Sequence, residues 1–213
     1  MKRSRQLALA FPKRGGGRQP GAGRPRTREH PGVIGALVPH LKRKSFTSRR
    51  AVHVTQRLLP NVGYLRKQGP AKVLQRAFAD AADRGGMRIA HYSIQGNHLH
   101  LVVEADDAQA LSRGMQGLAV RIARRLNRHL RRSGGVFADR FHSGVLESRR
   151  QVANAIRYVV GNYRRHTREW LPATFRDEFA TELDRPLAEP KLWLLRVGWR
   201  AEPVRQPSPF EPP

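Results

Sequence analysis

Residues 87–104 read MRIAHYSIQGNHLHLVVE, two runs rich in β-branched, aliphatic and aromatic side chains separated by the tripeptide Gln95-Gly96-Asn97. A short polar and glycine-containing break between two such runs reads as a β-hairpin. Successive side chains of a strand point to opposite faces, so Leu99, Leu101 and Val103 share one face while His98 and His100 share the other. Helices covering the aliphatic face would leave both imidazoles adjacent and accessible on the uncovered one, spaced to chelate a single cation. The plainer reading of an isolated His-x-His pair is two ordinary strand histidines. A site needs a further ligand and a reacting group from elsewhere in the chain.

Working outward, the order of elements defines the fold. Upstream, AVHVTQRL (51–58) alternates Val52, Val54 and Leu58 against His53, Thr55 and Arg57, the period of a strand. GPAKVLQRAFADAADRGG (69–86) follows as a helix, with Pro70 in its first turn, Val73, Leu74, Ala77, Phe78 and Ala81 at helical spacing, and Gly85-Gly86 as its stop. Downstream, the segment 106–135 carries an apolar stripe of Leu111, Met115, Leu118, Ile122 and Leu126, backed by Arg113, Arg121, Arg124, Arg128, Arg131 and Arg132. HSGVLE (142–147) reads as another strand, and Ser148 with Gln151 has the spacing of a capping box that opens a helix over 149–166. Strand, helix, strand, strand, helix, strand is the split β-α-β order. It predicts an α+β domain with a ferredoxin-like or RRM-like antiparallel sheet and helices packed on one face.

Composition points to an acidic polymer as partner. The 213 residues include 41 Lys and Arg against 16 Asp and Glu, a formal charge of +25. Most of that excess is arginine, whose planar fork of donors matches phosphate oxygens. Cysteine is absent, which excludes disulfides, thiolate metal sites and cysteine nucleophiles, so any metal must be held by nitrogen and oxygen. The amino terminus has too short an apolar run for a signal peptide, and no stretch is long enough to span a bilayer. A cytoplasmic, nucleoid-associated protein is expected.

Residues 1–49 form a basic arm rich in glycine and proline, densest in PKRGGGRQPGAGRPRTREHPG (12–32), which holds too little apolar surface to fold alone. Its Gly-Arg-Pro-Arg (23–26) resembles the core of an AT-hook, which makes Arg24 and Arg26 candidates for the minor groove; a basic tail meeting phosphates without preference is the alternative. The main domain spans 50–168. Residues 169–213 are an extension without an assigned role, in which Trp193 and Trp199 require some covering surface.

The last helix supplies the missing groups. At about 100° per residue, Val152, Ala155, Ile156, Val159 and Tyr163 fall on its apolar face, and Tyr158 and Asn162, one turn apart, fall together on a flanking polar face. A phenol beside an amide oxygen suits a nucleophile next to a metal ligand. Singly, Tyr158 reads as a rim aromatic and Asn162 as a solvated polar residue.

HLHLVV (98–103) on a strand, with YVVGN (158–162) on a helix about sixty residues later, resembles the single-tyrosine HUH transposases, in particular the REP-associated tyrosine transposases. The resemblance covers about residues 50–166 and includes HVTQR (53–57) and VFADRFH (136–142); Tyr158, Val159 and Asn162 match the helix motif, and Tyr163 stands where the family usually has proline. It implies an HUH endonuclease fold and a transposase that cuts and rejoins single-stranded DNA at hairpin ends. Tyr158 would be the nucleophile, forming a 5′-phosphotyrosine, and His98, His100 and Asn162 would hold Mg²⁺ or Mn²⁺. Arg57, Arg121, Arg124 and Arg128 are expected to meet phosphates, and whether the chain acts as monomer or homodimer is open.

Two other readings remain at this point. One is a nucleic-acid-binding protein that keeps sheet and charge without cleaving strands. The other is a two-histidine phosphoesterase, which needs two His-x-Thr/Ser motifs; the chain has His53-Val54-Thr55, but His100 stands where the second hydroxyl belongs.

Overall fold

The hairpin is present in a computed structural model that describes residues 44–167, 170–172 and 174–202. β3 (Met87–Ile94) and β4 (His98–Ala105) pair antiparallel from Met87 opposite Ala105 to Ile94 opposite Leu99. β1 (Arg50–Arg57) lies on the other side of β4, and β5 (His142–Leu146) pairs with β1. A two-residue β2 (Asp83–Arg84) precedes β3, giving the sheet order β2-β3-β4-β1-β5. Without β2, every neighbouring pair is antiparallel and the order is that of a ferredoxin-like sheet, as expected.

Two helices cover one face. α1 (Gln68–Ala79) and α2 (Ala108–His129) bury Leu74, Ala77, Phe78 and the stripe Leu111, Met115, Leu118, Ile122 and Leu126 against Val52, Val54, Leu99, Leu101 and Val103. Burying each of the large side chains contributes roughly 1.5–3 kcal/mol. The α2 stripe is the one that its spacing predicts, and Asp107 caps the helix by accepting from the Ala110 amide.

Opposite, α3 (Arg149–Val160) crosses the face to which His98 and His100 belong. Val152, Ala155, Ile156 and Val159 pack over Ala51 and Val102, with Leu195 and Trp199 from the chain's C-terminal part completing this second core. The capping box is formed: Ser148 Oγ accepts from the Gln151 amide, and the Gln151 side chain accepts from the Ser148 amide. Ser148→Ala should therefore lower stability by about 1 kcal/mol in thermal denaturation, with activity unchanged.

Three expectations need correction. Gly85 and Gly86 do not end α1, which stops at Ala79. With φ of +59° and +81° they form the tight turn between β2 and β3, a two-residue connection whose twist requires left-handed residues. The helix expected over 149–166 breaks at Gly161 (φ −92°, ψ 9°), separating α3 from α4 (Asn162–His166). A β-carbon at Gly161 would stand 2.9 Å from the Arg157 carbonyl oxygen. Tyr163, projected into the core, lies instead beneath the guanidinium of Arg66, whose Cζ is 3.9 Å from the ring centroid, and Asn162 takes the inward position at 1% exposure.

The edge of β3 is closed by backbone rather than by a long strand. A bulge between Ile89 and His91 shifts the register, so that Tyr92 and Ile94 return to the α1–α2 core while His91 and Ser93 turn to the face of His100. The carbonyls of Ile89 and Ala90 accept from Ala188 and Leu187, and that of Tyr92 accepts from Thr181. Arg66 and Asp177, both buried, clamp this segment through two parallel hydrogen bonds of 2.8 and 3.1 Å. Leu195 and Trp199, on α5 (Trp193–Arg196) and the 3₁₀ turn after it, rest on α3, while Trp193 is half exposed. Among the described residues no helix is long and apolar enough to cross a membrane.

Candidate active site

The site forms where the ends of β1 and β4 emerge from beneath α3. His98 and His100 share a face, as the strand period requires, and their Nε2 atoms are 3.1 Å apart. His98 Nδ1 lies 2.8 Å from Asn97 Oδ1. An amide oxygen only accepts, so the proton of a neutral His98 sits on Nδ1 and its Nε2 keeps a lone pair directed at His100.

Tyr158 reaches the same point from α3. Its ring meets His100 edge-on with centroids 5.2 Å apart and meets His53 at 5.9 Å. Two of the expected ligands and the expected nucleophile are thus brought together from one strand and a helix about sixty residues apart. Phe141 and Val136 anchor the return to β5 in the opposite core, leaving the Tyr158 end of α3 above the histidines.

The accessibility expected of both imidazoles does not hold. His100 is 5% exposed, because α3 and Tyr158 cover a face that the sequence reading left open, and His98 is half-buried. Asn162 is not on a polar surface beside Tyr158 either. It is buried, and its Nδ2 has no hydrogen-bond partner among the described residues.

His53 and Thr55 belong to the site and were not among the expected ligands or catalytic groups. His53 Nε2 is 3.3 Å and Thr55 Oγ1 3.2 Å from His100 Nδ1, and the His53 ring stacks on that of His100. The signal was present in the strand alternation, which sets His53, Thr55 and Arg57 on one face. Burial, reinforced by His142, pushes the His53 pKa below its usual value, which favours the uncharged ring beside the imidazole pair.

Among the expected phosphate contacts, Arg57 pairs in register with His98 and sits at the site. Arg121, Arg124 and Arg128 lie on α2, across the sheet from Tyr158. Arg24 and Arg26 lie outside the described residues. A cavity of about 620 Å³ opens beside the α3–α4 break, lined by Gly161, Arg164, Phe175 and Asp177 among others, and includes none of His98, His100 and Tyr158.

Chemically, the arrangement fits a divalent ion held by nitrogen and oxygen. Two ligands about 2.1 Å from one ion at an octahedral right angle stand about 3.0 Å apart, which the Nε2 separation matches. Among the described residues no group of three or more His, Asp or Glu side chains is arranged to hold a metal. Asn162 offers an orphaned buried amide, and a half-turn about its last side-chain bond exchanges nitrogen for oxygen.

Residues 48–162, more than half of the chain, match the family described as Transposase IS200 like, and the chain belongs to this family of transposases. Two solved structures resemble it at low identity. One is a REP-associated tyrosine transposase bound to a REP hairpin, at 12% identity over 61% of this chain and 74% of that one, with a TM-score of 0.49. The other, from Deinococcus radiodurans and described as a candidate transposase, is 16% identical over 50% of this chain and 86% of that one, with a TM-score of 0.41. No curated protein matches.

Proposed function

We propose that this transposase cuts and rejoins single-stranded DNA at hairpin ends through a covalent link to Tyr158, in the cytoplasm and on chromosomal DNA. The observation that carries this reading is the Tyr158 ring set edge-on against His100, with the His98 and His100 Nε2 atoms converging beside it. The hairpin as substrate follows from the resemblance to the REP-associated branch.

In the cleavage step the Tyr158 oxygen bonds to the scissile phosphorus while the bond to the 3′ oxygen breaks. The proton lost by the phenol is matched by the one gained at the freed 3′-hydroxyl, and reversal of the same exchange rejoins the strand without ATP. His98, His100 and Asn162 would hold Mg²⁺ or Mn²⁺, which supplies polarisation of a non-bridging phosphate oxygen. Two imidazoles favour Mn²⁺ intrinsically, while cellular abundance favours Mg²⁺. Arg57, opposite His98 in the ladder, would meet the phosphate that follows; arginine–phosphate contacts give affinity without reading sequence. His53 stacks on His100 beside that ring's second nitrogen.

The test is a denaturing gel of a labelled hairpin oligonucleotide incubated with the full chain. A covalent protein–DNA band is expected with Mg²⁺ or Mn²⁺, lost in EDTA and restored by added metal. Salt-sensitive DNA binding with no band under any metal condition would instead identify a relative that binds without cutting.

A further inference from the structure

The two nitrogens of His100 have different neighbours. Nε2 faces His98 Nε2 at 3.1 Å, while Nδ1 faces Thr55 Oγ1 at 3.2 Å and His53 Nε2 at 3.3 Å. A neutral imidazole carries its proton on one nitrogen only. With the proton on Nε2, His100 can donate to His98 and the pair holds no ion. With the proton on Nδ1, both Nε2 lone pairs converge on one point, and a buried Nδ1–H then requires an acceptor.

We infer that Thr55 is a positioning residue whose hydroxyl oxygen accepts the Nδ1–H of His100, presenting Nε2 to a divalent cation. Thr55 stands directly opposite His100 in the β1–β4 ladder, in the centre of the sheet, where backbone pairing on both sides fixes its place. Its branched β-carbon restricts the hydroxyl to few rotamers. A hydroxyl rotates freely enough to turn its own hydrogen away and accept with a lone pair, whereas the alternative acceptor, His53 Nε2, serves only in one of that ring's tautomers. Thr55 therefore makes the ligating form of His100 available irrespective of His53. This role rests on the metal-dependent reading above and adds to it a residue that touches neither ion nor DNA.

The experiment is calorimetric titration of the full chain with Mn²⁺ in the absence of DNA, comparing wild type with Thr55→Val and Thr55→Ser. Valine keeps the shape and removes the acceptor; serine restores it. Mn²⁺ affinity is expected to fall about 10–100-fold in Thr55→Val and to return to within about threefold of wild type in Thr55→Ser. Metal-free melting temperatures should leave the three proteins indistinguishable, which separates orientation of a ligand from general damage. Equal Mn²⁺ affinity in wild type and Thr55→Val overturns the role of Thr55 while leaving the metal site standing. Failure of the wild type to bind Mn²⁺ overturns both.

Discussion

Tyr158→Phe is expected to abolish the covalent DNA adduct and to lower strand cleavage by at least about 10⁴-fold, the scale on which loss of a nucleophile acts. The substitution removes one oxygen and keeps the ring that packs edge-on against His100 and His53. Folding, Mn²⁺ affinity and hairpin affinity should accordingly match the wild type, so the loss reads as chemistry and not as collapse of the site. Tyr163→Phe is the control. That phenol sits under Arg66 and near Phe175, on the far side of the Gly161 break, and its loss should leave the adduct intact. An adduct that survives Tyr158→Phe and disappears with Tyr163→Phe would overturn the assignment of the nucleophile.

What made Tyr158 legible in the sequence was periodicity. Its helix is strongly amphipathic, the capping box fixes where it starts, and counting from Ser148 puts Tyr158 at its flank. The strand alternation likewise fixes which face His98 and His100 share, and the α2 stripe was readable residue by residue. The break at Gly161 was not. A glycine near a helix end is compatible with continuation or with a stop, and only the packing of Asn162 inward and Tyr163 against Arg66 decides.

Which helix covers which face was also out of reach, since periodicity gives a helix an apolar side without naming its partner. The covering of His100 followed from that choice, because α3 lies over the histidine face while α1 and α2 take the other. Residues 177–188 carry no strand or helix period, yet they close the edge of β3. Their hold is made of backbone hydrogen bonds to the bulged strand and of the Arg66–Asp177 pair across 111 positions, neither of which leaves a local pattern.

Glu104→Ala should be the most destabilising single change considered, by about 3–5 kcal/mol, the range for stripping one partner from a buried ion pair. Glu104 is 0% exposed at the end of β4. One of its oxygens accepts from Arg88 at 2.9 Å and lies 3.3 Å from Arg49, and the other accepts from the backbone amides of Lys191 and Leu192 at 2.8 and 2.7 Å. Removing the carboxylate leaves a buried guanidinium with Asp83 as its remaining carboxylate among the described residues and strands two amides that lead into α5. Because those amides fix the segment that lays Leu195 and Trp199 on α3, undocking of that segment should precede global unfolding. Proteolysis between residues 190 and 202 is therefore expected to accelerate well below the melting temperature of Glu104→Ala. Arg88→Ala added to Glu104→Ala should cost little more, since the charge left unpaired is then gone; additive losses in that double-mutant cycle would mean that the two side chains are not coupled.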